Sequence, residues 1–305
     1  MEADNDQGYG RSYQVELPEG CSLPFRMQFG LPRPDWETFR GIAEQQPDPD
    51  SVWRSSVGAW LSELATALKP PYRSVLEGEV MLLSGRDDAA TALLVRQCAY
   101  LKSEVARLFA RLVSFEGPSV DIVLVFNRGE QYASYVAEFF EDGQYAGSGG
   151  MYISSTGIRH IALLWDRWEW HRTLAHELAH VVLADRELPL WLEEGLVALV
   201  EQELVPQELV YGKLAPRQLL ETRRFWRTHD LALFWSGAAF FDVEAQEHAY
   251  RLAEVMIRNL SDRYGKRFGT FVESATREDH GEVAATATFG ITLRDCASQF
   301  LGDPE

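Results

Sequence analysis

"TLAHELAHVV" occupies residues 173–182 and sets His176 and His180 four positions apart around Glu177 in an otherwise apolar stretch. Four residues make about one turn of α-helix, so on a helix the two imidazoles share a face and are separated by about 6 Å of rise. At that spacing they can bind one cation. Leu174, Leu178, Val181 and Val182 form the opposing face and are suited to press against a sheet. Upstream, Asp166 with Glu169 three positions on resembles a capping box, which predicts a helix from near Arg167 through Asp185.

A zinc ion that keeps a position open for water takes three protein ligands, and the third should come from a neighbouring element. After "DRELP", whose Pro189 suits a helix start, "LWLEEGLVALVEQEL" reads as an apolar helix with adjacent carboxylates at Glu193 and Glu194. The short connection makes the two helices antiparallel neighbours. The two carboxylates point about 100° apart, so one of them is expected to face the histidines.

Outward from this pair, residues 73–165 alternate between strand and helix patterns. "SVLEGEVMLLS" (74–84) reads as a strand, residues 87–113 as a long amphipathic helix, and "VDIVLVF" (120–126) as a strand buried on both faces. A helix at about 129–141 and a Gly-rich turn lead to strands at "MYISS" (151–155) and "HIALLW" (160–165), and the remainder is helical. Before residue 73, "SYQVEL" (12–17) and "PFRMQF" (24–29) read as short strands, followed by helices at 35–46 and 51–68. "KPPY" (69–72) stops the second helix. The expected organisation is an N-terminal accessory region, 1–72, and a main domain, 73–305, made of a sheet lobe (about 73–185) and a helical lobe (about 186–305).

A chain of 305 residues with 46% apolar and 25% charged residues is globular rather than disordered or fibrous. The net charge of −17 repels phosphates and argues against a nucleic-acid partner. Cys21, Cys98 and Cys296 are far apart and show no C-x-x-C spacing, so no disulfide framework or cysteine metal site is readable. No secretory signal pattern opens the chain and no apolar run is long enough to span a membrane, so a cytoplasmic location is expected.

Through "HELAH" (176–180) and "WLEEG" (191–195) the sequence resembles the gluzincin metallopeptidases, which include thermolysin and aminopeptidase N, and most of all the bacterial peptidase MA-like family. The resemblance covers about residue 73 to the C-terminus. It implies an α+β zincin-like fold: a mixed sheet, an active-site helix carrying the motif, and a helical C-terminal lobe. It also implies one Zn2+ held by His176, His180 and Glu194, the acid directly before Gly195, with Glu193 as the fallback. Glu177 becomes the general base that takes a proton from a water acidified by the ion. These enzymes often place an oxyanion-stabilising tyrosine on a later helix, and "EHAYRLAEVMIRNLSDRYG" (247–265) offers Tyr250, with His248 as a weaker candidate.

Two departures bear on activity. The spacer of 13 residues between His180 and Glu194 is shorter than in thermolysin or aminopeptidase N. The Gly-x-Met-Glu-Asn stretch by which aminopeptidases of this group hold a substrate amine has no match, because "GGMYIS" (149–154) carries Tyr152 and Ile153 there. A peptide or protein substrate and endopeptidase activity are therefore expected. Either "GGMYISS" or "HIALLW" would be the sheet edge that pairs with substrate. Two alternatives stay open. One is a zinc-binding protein with a binding or regulatory role, inactive or covered by residues 1–72; the other is a metal-free scaffold with the histidines in its core.

Overall fold

The computed structural model describes residues 9–109, 121–137, 139, 148–155, 158–205 and 216–302. Two compact units divide the chain, one holding Met1–Tyr100 and Phe115–Glu177, the other Leu101–Ser114 and Leu178–Glu305.

In the first unit, β1 (Tyr9–Glu16), β2 (Ser22–Gln28) and β3 (Leu31–Pro34) form an antiparallel three-stranded sheet. Helices α1 (Trp36–Ala43) and α2 (Pro49–Leu68) follow, and Asp35 and Asp48 cap them by accepting from the Thr38 and Ser51 amides. The main sheet is five-stranded and mixed, in the order β4 (Arg73–Glu77), β5 (Val80–Ser84), β6 (Asp121–Phe126), β8 (Ile158–Leu164), β7 (Gly150–Ser155). Strands β5, β6 and β8 run parallel, and β4 and β7 are antiparallel edges. Between the strands lie α3 (Asp88–Leu108) and α4 (Gly129–Val136). The far end of the helix expected to reach 113, the end of that expected to reach 141, and the start of the Gly-rich turn lie outside the described residues.

The stretch expected as a single strand at 74–84 is a hairpin. Glu77 pairs with Val80, leaving Gly78 and Glu79 as the turn, and Gly78 has φ +62°. A two-residue hairpin turn requires a left-handed residue there, which glycine adopts without steric cost. The central strand behaves as read: Ile122 to Phe126 are all buried.

Strand alternation gives the sheet two distinct faces. Met81, Leu83, Ile122, Leu124, Phe126, Met151, Ile153, Ile158 and Ala162 share one core with Leu23, Phe25, Trp36, Phe39, Trp60, Leu61 and Leu64. The described N-terminal elements therefore cover one face of the main sheet, and their core continues across residue 72. Gly150, Tyr152, Ile161 and Leu163 pair on the opposite face.

His160 sits inside this shared core. Its Nε2 lies 2.7 Å from the Tyr135 hydroxyl and its ring is edge-on to Trp60 at 5.4 Å. The Arg33 guanidinium stacks 4.1 Å over the Tyr135 ring and donates to the Tyr135 carbonyl at 3.1 Å. Burial, with a smaller contribution from the Arg33 charge, pushes the His160 pKa down to about 3. The unfolded chain protonates this group below about pH 6.5 while the folded chain does not. Stability from it is thus complete above pH 6.5 and declines as pH falls toward 3. We expect a slope of about 1.4 kcal/mol per pH unit in that window. Urea unfolding at pH 7, 5.5 and 4.5 checks this, and His160→Phe should flatten the decline.

The second unit is helical among its described residues. It includes α6 (Leu190–Leu204), α7 (Pro216–Thr228), α8 (Ala232–Trp235), α9 (Gln246–Tyr264), α10 (Lys266–Ser274), α11 (Glu282–Phe289) and α12 (Leu293–Leu301). Its core gathers Trp191, Phe234, Phe240, Phe271 and the Ala249, Leu252, Ala253, Met256 and Ile257 stripe of α9. Cys21, Cys98 and Cys296 are buried and none is in a disulfide. No described helix is long and apolar enough to cross a membrane.

Candidate metal centre

The motif lies on α5 (Trp170–Leu183). The helix begins three residues later than the capping signal suggests. Asp166 does accept from the Trp168 and Glu169 amides, at 2.7 and 3.1 Å, but it closes a turn there before the α-helix starts. Leu174, Leu178 and Val182 are buried as the spacing requires, while His176 and His180 are half-buried. Trp170 and Trp191 serve as core, whereas Trp168 stands 72% exposed.

Six residues, 184–189, connect α5 to α6. The Arg277 amide donates to the Glu187 carbonyl at 2.9 Å and its Nε to the Leu188 carbonyl at 3.1 Å. Trp191 Nε1 donates to the His280 carbonyl at 3.0 Å. These bonds hold the connection and the first turn of α6, and hence the position of the acid pair.

One ligand atom each from His176, His180 and Glu194 lies within 4.8 Å of the others, so this group could hold one metal ion. His180 Nε2 and Glu194 Oε2 are 3.7 Å apart, too far for a hydrogen bond. Two ligands at 2.0–2.2 Å from a tetrahedral ion stand roughly 3.3–3.5 Å apart, so small side-chain adjustments would bring both onto one cation. Glu194 is only 8% exposed. A carboxylate is costly to bury unless compensated, and a cation among two imidazoles would compensate it. The donor set of two nitrogens and one oxygen suits zinc.

The sequence led us to expect that one acid of the pair faces the histidines. In the structure both approach His180, from opposite sides of its ring: Glu193 Oε1 is 2.9 Å from Nδ1, while Glu194 lies on the Nε2 side. Side chains 100° apart on α6 bracket a flat ring rather than compete for one side of it.

Gly195 explains how α6 comes so close to α9. A Cβ there would collide with Ile257 Cγ1 and lie 2.8 Å from the Ala253 carbonyl oxygen, so the helices meet through bare backbone. Because part of the obstruction is main chain, Gly195→Ala must shift α6 and with it Glu194. We expect a loss of about 1–3 kcal/mol in stability and weaker retention of any metal held by Glu194, measurable by urea unfolding and chelator competition.

Glu177, 6% exposed, accepts from the Tyr152 amide at 2.6 Å. Strand order settles which stretch is the edge: β7 is outermost and β8 is interior. Gly149 accepts from the Leu164 amide, so the backbone groups of 150, 152 and 154 face outward. Glu177 is therefore anchored to the outer edge of β7. Gly150 permits this, since a Cβ there would collide with Thr173 Cγ2 and press to 3.2 Å from Glu177 Cγ.

Tyr250 is half-buried on α9, with its ring edge-on to Phe240 at 5.1 Å. It lies three and seven residues before Ala253 and Ile257, which meet α6 at Gly195, so it stands on the α6-facing side of α9. His248 belongs to a different contact: its Nδ1 is 3.2 Å from the Thr222 hydroxyl and its ring stacks on Phe225 at 4.4 Å, and burial lowers its pKa. Glu201, two turns beyond Glu194 on α6, is buried, while Asp185, just past the end of α5, is exposed.

Compared with known proteins, the chain matches no family model and no curated sequence. What stands is an α+β protein with a five-stranded mixed sheet, a small N-terminal sheet, a helical C-terminal region and a His176–His180–Glu194 group able to hold one metal ion.

Proposed function

We propose that the protein is a zinc-dependent metallopeptidase that cleaves peptide bonds within a chain. The observation that carries this reading is the pairing of a three-residue ligand group, two half-buried imidazoles and a buried carboxylate, with Glu177, the residue next to His176, held at a sheet edge. A zinc ion held by His176, His180 and Glu194 would acidify a water and polarise a substrate carbonyl. Glu177 takes the proton from the attacking water and passes it to the leaving amine. The Tyr152 amide occupies Oε2 of this carboxylate, which leaves Oε1 for the water. The outward backbone of β7 offers hydrogen bonds to an extended peptide without reading its side chains. Tyr250 is the proposed donor to the oxyanion.

With Tyr152 and Ile153 where an amine-binding glutamate would stand, nothing in this stretch recognises a free N-terminus, which favours endopeptidase action. A mixed peptide library incubated with the zinc-loaded protein, with and without chelator, tests the reading. Internal cleavages that vanish with chelator support it, and an inert protein with zinc fully bound overturns it.

A further inference from the structure

Glu193 is one helical step from the ligand group, and its carboxylate meets the ring nitrogen of His180 that the cation does not need. The separation is 2.9 Å, and the side chains of both residues are largely shielded, 14% and 15% exposed. A carboxylate only accepts, so His180 Nδ1 carries the hydrogen and donates it to Glu193. The proton then cannot reside on Nε2, whose lone pair points to the Glu194 side of the ring. From this geometry we infer that Glu193 is a positioning residue: it fixes the tautomer and rotation of His180 so that Nε2 is presented to the metal, and it makes that nitrogen a stronger ligand.

The two adjacent acids then have separate tasks. Glu194 supplies an oxygen to the ion, and Glu193 never touches it. Both come from one turn of α6, whose start is held by the Arg277 and Trp191 hydrogen bonds, so ligand and support move together. This inference rests on the metal centre proposed above and adds a role to a residue that the motif alone would offer only as a substitute ligand.

The test uses the full-length chain, zinc as the probe, and competition with a chelator as the measure of affinity. Glu193→Ala is expected to weaken zinc binding by about 10- to 100-fold. Glu193→Gln keeps an accepting oxygen but loses the charge, and is expected to lose only about 3- to 10-fold. Glu203→Ala, at an exposed position on the same helix, should bind as the unaltered protein does. Cobalt(II) loaded in place of zinc should show altered visible absorption bands in Glu193→Ala and near-normal bands in Glu193→Gln, a change that lost helix packing alone does not produce. If Glu193→Ala holds zinc as tightly as the unaltered protein, or if glutamine is no better than alanine, the positioning role is wrong while the metal centre stands. If the unaltered protein itself binds no zinc, both fall. Should Glu193→Ala fail to fold, the glutamine variant carries the comparison, and zinc affinity in it equal to that of the unaltered protein would overturn the role.

Discussion

Glu177→Gln should retain one zinc ion per chain and lose about 10²- to 10⁴-fold in peptide hydrolysis, the usual contribution of a positioned acid–base group. The amide oxygen of glutamine can still accept from the Tyr152 amide, so the local packing at 6% exposure has no reason to change. What the amide cannot do is take a proton from water. His180→Ala differs in kind, since it removes a nitrogen of the ligand group and should lose metal and activity together. Paired measurements of zinc content and kcat separate the two cases. A Glu177→Gln variant with zinc bound and more than about a tenth of normal kcat would remove Glu177 from the proposed mechanism.

The second large effect concerns the first 72 residues. A chain beginning at Ser74 should fail to fold, because Leu23, Phe25, Trp36, Phe39, Trp60 and Leu64 complete the core on one face of the main sheet. A milder form of the same experiment is Trp60→Ala. Trp60 is fully buried and meets Trp36 at 5.6 Å and His160 at 5.4 Å, both edge-on. Truncating it should cost about 3–5 kcal/mol, enough to exhaust much of a typical domain's stability. Urea unfolding of Trp60→Ala and a thermal melt of the shortened chain provide the check. The described N-terminal elements lie on the sheet face opposite Gly150 and Tyr152, so covering of Glu177 by these residues is not what their position supports. A shortened chain that melts cooperatively and cleaves peptides faster would restore the covering role.

Much of the centre was legible because helical periodicity maps spacing directly onto a shared face. His176 and His180 on α5, and an acid early on α6, follow from intervals of four and a short connection. The mixed sheet was legible too, since the apolar run of β6 and the alternation of β7 are local signals. The sequence did not reveal relations that depend on strand order or ring orientation. That Glu177 bonds to Tyr152 requires knowing that β7, rather than β8, is the edge. That Glu193 and Glu194 both approach His180 requires knowing how one imidazole is turned. The hairpin at Gly78 was visible in principle, because a glycine between two alternating apolar runs is a turn signal, but charged neighbours on both sides let it pass as one amphipathic strand. The prolines at 70 and 71 mark the end of α2, but a break in a helix is not a break in packing, and buried side chains from before and after residue 72 share one cluster.

X-ray absorption at the zinc edge of the purified, metal-loaded protein probes the ligand group itself. Two imidazoles with oxygen neighbours at about 2.0–2.2 Å and no sulfur are expected, and Glu194→Ala should lower the oxygen count or empty the site. A protein that takes up no zinc, or a spectrum with fewer than two imidazoles, would contradict the convergence of His176, His180 and Glu194 on a single ion.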